Sequence, residues 1–115
     1  MKETRLGEFE EVLLLLTAIL KEDAYAFRIA EEFEAQSGRS TSIGSVHSTL
    51  ERLSEKGFLT SDMGAPTASR GGRRKRIYSI TASGQKALQT SRDFRVSLWN
   101  QLPNLAVNKL QFLFS

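Results

Sequence analysis

The chain contains no cysteine and a single histidine, His47. The first absence excludes disulfides, thiolate metal sites and cysteine nucleophiles, and it fits a reducing compartment. The second leaves no multi-histidine metal site; a carboxylate site is still formally open, and the expectation is no metal and no cofactor. No apolar run approaches the roughly 20 residues of a membrane span. The opening Met1-Lys2-Glu3-Thr4-Arg5 leads into acidic residues rather than the apolar core of a secretory leader. A soluble cytoplasmic protein without a membrane partner is therefore the expectation. Nor does any glycine-rich phosphate-binding turn join a strand to a helix. With neither thiol nor paired imidazole, an enzyme is not expected.

What is present is a chain of 115 residues, 40% hydrophobic, which suits one globular domain with a modest core. A domain of this size is marginal alone, so exposed apolar surface would point to an obligate oligomer. Charge is unevenly spread: residues 1–36 hold four basic and nine acidic side chains, whereas residues 37–92 hold ten basic and three acidic. Such asymmetry gives one face to an anion and another to something else.

Much of the positive charge lies in Arg70-Gly71-Gly72-Arg73-Arg74-Lys75-Arg76. Five of these seven residues are cationic, and setting them aside leaves eleven basic against thirteen acidic in the whole chain. Arginine forks pair with phosphate bidentately, and glycine removes the side chain that would hold two surfaces apart. In isolation the heptad reads more simply as a solvated loop. Its neighbours in sequence decide between the two.

Leu6 to Leu20 reads as a first helix, with Glu8, Glu10 and Glu11 suiting the positive end of its dipole. The block Val12–Leu16 is apolar on nearly every side. Part of it is expected to meet a second subunit or an apolar ligand, ahead of the alternative of a helix buried all round. Asp23 is a candidate cap for a second, amphipathic helix from Ala24 to Gln36, whose stripe runs through Phe27, Ala30 and Phe33. Gly38 supplies a left-handed stop. Thr41 or Ser42 then caps a third helix, to about Lys56, with the stripe Ile43, Val46, Leu50 and Leu53. Ser45, Ser48, Thr49 and Arg52 face away, and Gly57 ends it. Small polar side chains on an outer face allow close approach to base edges while offering hydrogen bonds. An ordinary three-helix core with a polar solvent face is the equal alternative at this point.

Phe58–Met63 and Arg76–Ile80 alternate as strands, so the basic heptad becomes the tip and arm of a hairpin. Thr81 caps a long fourth helix from Ala82 to about Gln101. Its Leu88, Phe94, Leu98 and Leu102, with Val96 and Trp99 beside them, are spaced for packing on one broad side. Pro103 breaks it. Helix, helix, helix, basic hairpin and long helix together make a mainly α (α+β) winged helix-turn-helix. It has a two-stranded β-wing and a long C-terminal dimerisation helix. The expected divisions are 6–80 for the winged helix-turn-helix, 81–102 for the dimerisation helix, and 103–115 for an apolar tail that could form a short helix.

Several segments in order resemble the PadR family of transcriptional regulators: Leu6-Gly7-Glu8-Phe9-Glu10-Glu11-Val12, Asp23-Ala24-Tyr25, Gly44-Ser45-Val46-His47-Ser48-Thr49-Leu50, Arg52-Leu53, Glu55-Lys56-Gly57-Phe58, and Arg70 to Arg76 through Thr81. Each motif alone is weak; their combination over roughly residues 6–100 is specific. The resemblance implies a prokaryotic dimeric regulator, usually a repressor, that binds operator DNA and dimerises through its last long helix. Some small members sense planar drugs or phenolic compounds at the dimer interface. Many members carry tyrosine where this chain has His47, and often glycine where it has Ala26. Larger members add a C-terminal helical domain.

The candidate DNA-binding residues are accordingly Ser42, Ser45, His47, Ser48, Thr49 and Arg52 in the third helix, and Arg70, Gly71, Gly72, Arg73, Arg74, Lys75 and Arg76 in the wing. His47 could donate to phosphate or be a part-buried structural histidine. Phe94, Trp99 and Leu15 are candidates for an aromatic effector, because flat ligands gain from a parallel ring. For Trp99, packing in the dimer core is the stronger alternative. A winged-helix module that docks an acidic protein surface without binding DNA is the competing function.

Overall fold

The computed structural model describes residues 5–64 and 74–103. The elements follow in the order α1 (Glu8–Leu20), a 3-10 turn (Lys21–Asp23), α2 (Ala26–Ser37), α3 (Ile43–Glu55), β1 (Leu59–Met63), β2 (Arg76–Ile80) and α4 (Ala82–Asn100). This is the winged helix-turn-helix order with a two-stranded antiparallel wing. Arg70, Gly71, Gly72 and Arg73, with the tail 104–115, lie outside the described residues.

α1 is the central element and packs against α2, α3, β2 and α4. It begins at Gly7, whose N–H donates to Glu10 Oε1 at 2.7 Å. Leu13, Leu14 and Leu16 are buried, so most of the Val12–Leu16 block serves the chain's own core. Leu15 is 45% exposed, and Ile19 lies exposed one turn on. With Ala18 also exposed, the apolar part of α1 left for a partner among the described residues is Leu15, Ala18 and Ile19 rather than the whole block.

The entry to α2 differs from the sequence expectation. Asp23 does not cap it: Lys21–Asp23 form the 3-10 turn, and Tyr25 occupies the cap position without a side-chain bond. The buried stripe is Ala26, Ile29 and Phe33, and Phe27 is 60% exposed. Ala26, Ile29 and Phe33 fall on one side at helical spacing, which turns Phe27 outward. Gly38 ends α2 in the left-handed region, φ 73°, and its N–H donates to Glu34 O.

α3 starts at Ser42, whose Oγ accepts from Ser45 N–H at 3.0 Å. Its core side is Val46, Thr49, Leu50 and Leu53, whereas Ile43, expected in the stripe, is largely exposed. Gly57, at φ 83°, turns the chain into the wing. There β1 and β2 pair from Leu59↔Ile80 to Met63↔Arg76. Tyr78 N–H donates to Ala24 O at 2.8 Å, which ties the wing to the start of α2. Thr81 N–H bonds Phe58 O at 3.0 Å, and Thr81 Oγ1 donates to Gly57 O at 2.7 Å while accepting from Gly84 N–H. The first turn of α4 is therefore fastened to the α3–β1 junction.

Candidate nucleic-acid interface

A helix advances 100° per residue, so α3 presents an outer edge and two flanks. Gly44, Ser48 and Glu51 fall along the outer edge, and all are exposed. Ile43 and His47 fall on the flank toward the wing. Ser45 and Arg52 fall on the flank toward α1 and the end of α2.

His47 is exposed, so it is not a part-buried structural histidine. It shares a cleft of about 400 Å³ with Arg74, Lys75 and Arg76 of the wing, and with Tyr25 and Glu51. The fold thus brings the described basic residues of the wing beside the third helix, although β1 and the loop after it separate them in sequence. Lys75 Nζ lies 5.5 Å from the Tyr25 ring centroid, an arrangement that fixes the stem while leaving the charge available. Arg74 donates to Gly64 O at 3.1 Å and to Met63 O at 3.2 Å, and so braces the loop end of the strand pair. Arg76 Nη1 donates to Ser61 Oγ across the strand pair. Burial pushes the Tyr78 phenol up, with Arg76 acting against it and Glu51 with it, so this tyrosine stays neutral at physiological pH.

On the other flank lies an open cleft of about 720 Å³ that includes Ser42, Ser45, Ser48 and Arg52. Thr49 requires a correction. It is 2% exposed and belongs to the core side of α3, not to the outward face. Its hydroxyl accepts from Arg52 Nη2 at 3.2 Å and so orients that arginine. Arg52 is held a second time by Glu10, with Nε 3.7 Å from Oε2, while its side chain remains 55% exposed.

Glu10 is buried, and Lys56 Nζ reaches both of its carboxylate oxygens at 2.9 Å. Burial pushes the Glu10 carboxyl up. The Gly7 N–H and the charges of Lys56 and Arg52 outweigh it and hold the group below the usual carboxylate range. The sequence suggests only a dipole partner at Glu10, because no local signal marks an ion pair across 46 positions. Glu51 is a further residue of the site outside the sequence-derived set, although counting angles from His47 and Ser48 places it on the same edge.

Among the described residues the effector candidates do not line one groove together. Phe94 lines a groove of about 980 Å³ with Leu6, Phe58, Ala87 and Leu98, and neither Trp99 nor Leu15 lines it. Phe94, Val96, Leu98 and Trp99 are all exposed on the distal half of α4. Among the described residues no cluster of three or more His, Asp or Glu could hold a metal ion, and no helix is long and apolar enough to cross a membrane.

The model of the transcriptional regulator PadR-like family matches residues 15–90. No curated protein sequence matches the chain significantly. Among solved structures, a PadR-like transcription factor from Bacteroides fragilis superposes with a TM-score of 0.68 at 24% identity, over 90% of both chains. A PadR family transcriptional regulator from Eggerthella lenta gives 0.60 at 22% identity, over 87% of this chain and 80% of that one. Bacillus subtilis PadR in complex with operator DNA gives 0.59 at 20% identity, over 73% of this chain but 46% of that longer one.

Proposed function

The chain belongs to the transcriptional regulator PadR-like family, a family of regulators rather than enzymes, and from that premise we propose that it binds double-stranded operator DNA as a homodimer and acts as a repressor. The observation that carries this reading is the shared cleft of His47 with Arg74, Lys75 and Arg76. A helix edge of small and polar side chains beside a cationic wing suits major-groove entry with phosphate contacts alongside. In this reading Ser42, Ser45, His47, Ser48 and Arg52 face bases or nearby phosphates. Thr49 acts through Arg52. The wing, including Arg70 to Arg73, supplies salt-sensitive grip. The operator complex of the Bacillus subtilis relative supports DNA as the ligand class.

Dimerisation through α4 is supported by its distal half, where every residue from Arg92 to Asn100 is exposed and four of them are large and apolar. Two α3 helices related by a two-fold axis would read half-sites about 34–36 Å apart. An aromatic effector would bind between subunits, since among the described residues Phe94 lines a groove that neither Trp99 nor Leu15 enters. Titrating tryptophan fluorescence with planar aromatic compounds tests this, and a flat response to all of them removes the effector.

Fluorescence anisotropy of the Arg74→Ala/Lys75→Ala double variant against salt tests the DNA reading. Affinity should fall across sequences, and the slope of log K against log salt should become shallower by about 0.9 for each phosphate no longer neutralised. Unchanged affinity and slope would remove the wing assignment. If the wild-type chain retards no genomic fragment at low salt, the acidic-protein partner replaces DNA.

A further inference from the structure

Gly44 sits in the second position of α3, on its outer edge, and the fold gives no reason for its missing side chain. Its φ is not in the left-handed region, where only Gly38 and Gly57 lie among the described glycines. A Cβ built on it would meet a single described atom, Ser42 Oγ, at 4.0 Å. Glycine in a helix is less favourable than alanine, so a bare backbone with open space above it serves something that approaches from outside.

The open cleft beside Gly44, about 720 Å³, indicates what approaches. Arg39 and Arg52 line it with Ser42, Ser45 and Ser48, and among the described residues no acidic one does. Arg39 is prearranged: its N–H donates to Ser37 Oγ at 3.1 Å, and its guanidinium carbon lies 5.4 Å from the Phe33 ring centroid. No carboxylate pairs with Arg39 among the described residues. Arg52 is oriented by Thr49, and the nearby Glu10 charge is already matched by Lys56. Two oriented arginines, hydroxyl donors and a backbone that permits contact suit a phosphodiester, and an open cleft suits a strand that runs through it.

We propose that this cleft is a second DNA-backbone site, in which Arg39 and Arg52 hold a phosphate and Gly44 is the point of closest approach. It lies on the flank of α3 away from the wing, so DNA is gripped on both sides of the reading helix. The proposal rests on the DNA-binding reading above and adds Arg39 and Gly44 to it.

The test uses the full chain and a fluorescein-labelled 30-base-pair duplex of random sequence, which suffices because phosphate contacts carry no sequence information. Arg39→Ala should weaken binding roughly tenfold, as for loss of a charge-assisted hydrogen bond. It should also make the salt slope shallower by about 0.9 per cleft engaged. Gly44→Ala should melt at the same or a higher temperature than wild type and bind several-fold more weakly with the salt slope retained. If Arg39→Ala keeps wild-type affinity and slope while the wing double variant loses both, the cleft holds no phosphate and the DNA reading stands. If Gly44→Ala binds as wild type, the DNA does not approach there. If the wild-type chain binds no duplex at low salt, the DNA reading falls and the cleft falls with it.

Discussion

Lys56 Nζ, just past the end of α3, lies 2.9 Å from each carboxylate oxygen of Glu10 in the first turn of α1. The same ammonium donates to Arg5 O at 2.8 Å, so the amino-terminal segment is fastened to the far end of α3. Both side chains are largely withdrawn from solvent, which makes removing one partner costlier than at an exposed pair.

Glu10→Gln should therefore destabilise the fold by about 1–3 kcal/mol at pH 7. Because the Glu10 carboxyl is held below its usual range, its contribution is complete above the unfolded value of about 4.3 and is lost as pH falls through the folded one. Thermal melts at pH 7 and at pH 3 check this. The gap between wild type and variant should be wide at the first and narrow at the second.

Gly84→Ala should destabilise the chain despite alanine's better helix propensity. The added methyl would be driven onto Phe58 O and within 2.9 Å of Ile80 Cγ1, where backbone and strand leave no room. A loss of about 1–3 kcal/mol is expected from such overpacking. Urea denaturation measures it, and the opposite behaviour of Gly44→Ala is an internal contrast.

Thr81→Ala removes both the N-cap acceptor for Gly84 N–H and the donor to Gly57 O. About 1–2 kcal/mol should be lost, in line with other N-cap removals. Thr81→Ser, which keeps the hydroxyl, should restore most of it in the same denaturation experiment.

Leu98→Asp tests the distal face of α4. In a dimer held by that face, a buried unpaired carboxylate is strongly disfavoured. The variant should sediment as a monomer at concentrations where wild type is dimeric. Trp99, 61% exposed in the single chain, should emit at shorter wavelength in the wild-type dimer than in the variant. Identical sedimentation of the two would remove this face from the interface.

Local chemistry is legible in the sequence wherever one residue type does one job. Ser42 and Thr81 as caps, Gly38 as a left-handed stop and Arg76–Ile80 as a strand each stand where their conformational preferences put them. Helix phase is less legible. Thr49 groups with its polar neighbours by chemistry, yet at 100° per residue it falls beside Val46 and Leu53, and its hydroxyl accepts from Arg52. Phe27 joins the expected stripe for its size, although Ala26 and Ile29 define the buried line. The site's long-range parts are not legible at all. Lys75 over Tyr25 and Lys56 on Glu10 depend on how elements meet, and no periodicity encodes that.

The fastening of Thr81 to Gly57 and Phe58 has a mechanical consequence. α4, about 28 Å long at 1.5 Å per residue, is a lever whose near end is clamped to the turn that closes α3. In a dimer joined at the far ends, any change in the angle between the two levers would swing each head as a unit. A tilt of about 10° over that length moves a head through an arc of about 5 Å, more than the step between adjacent base pairs. In such a dimer, anything wedged between the levers would change the spacing of the two heads without touching either of them.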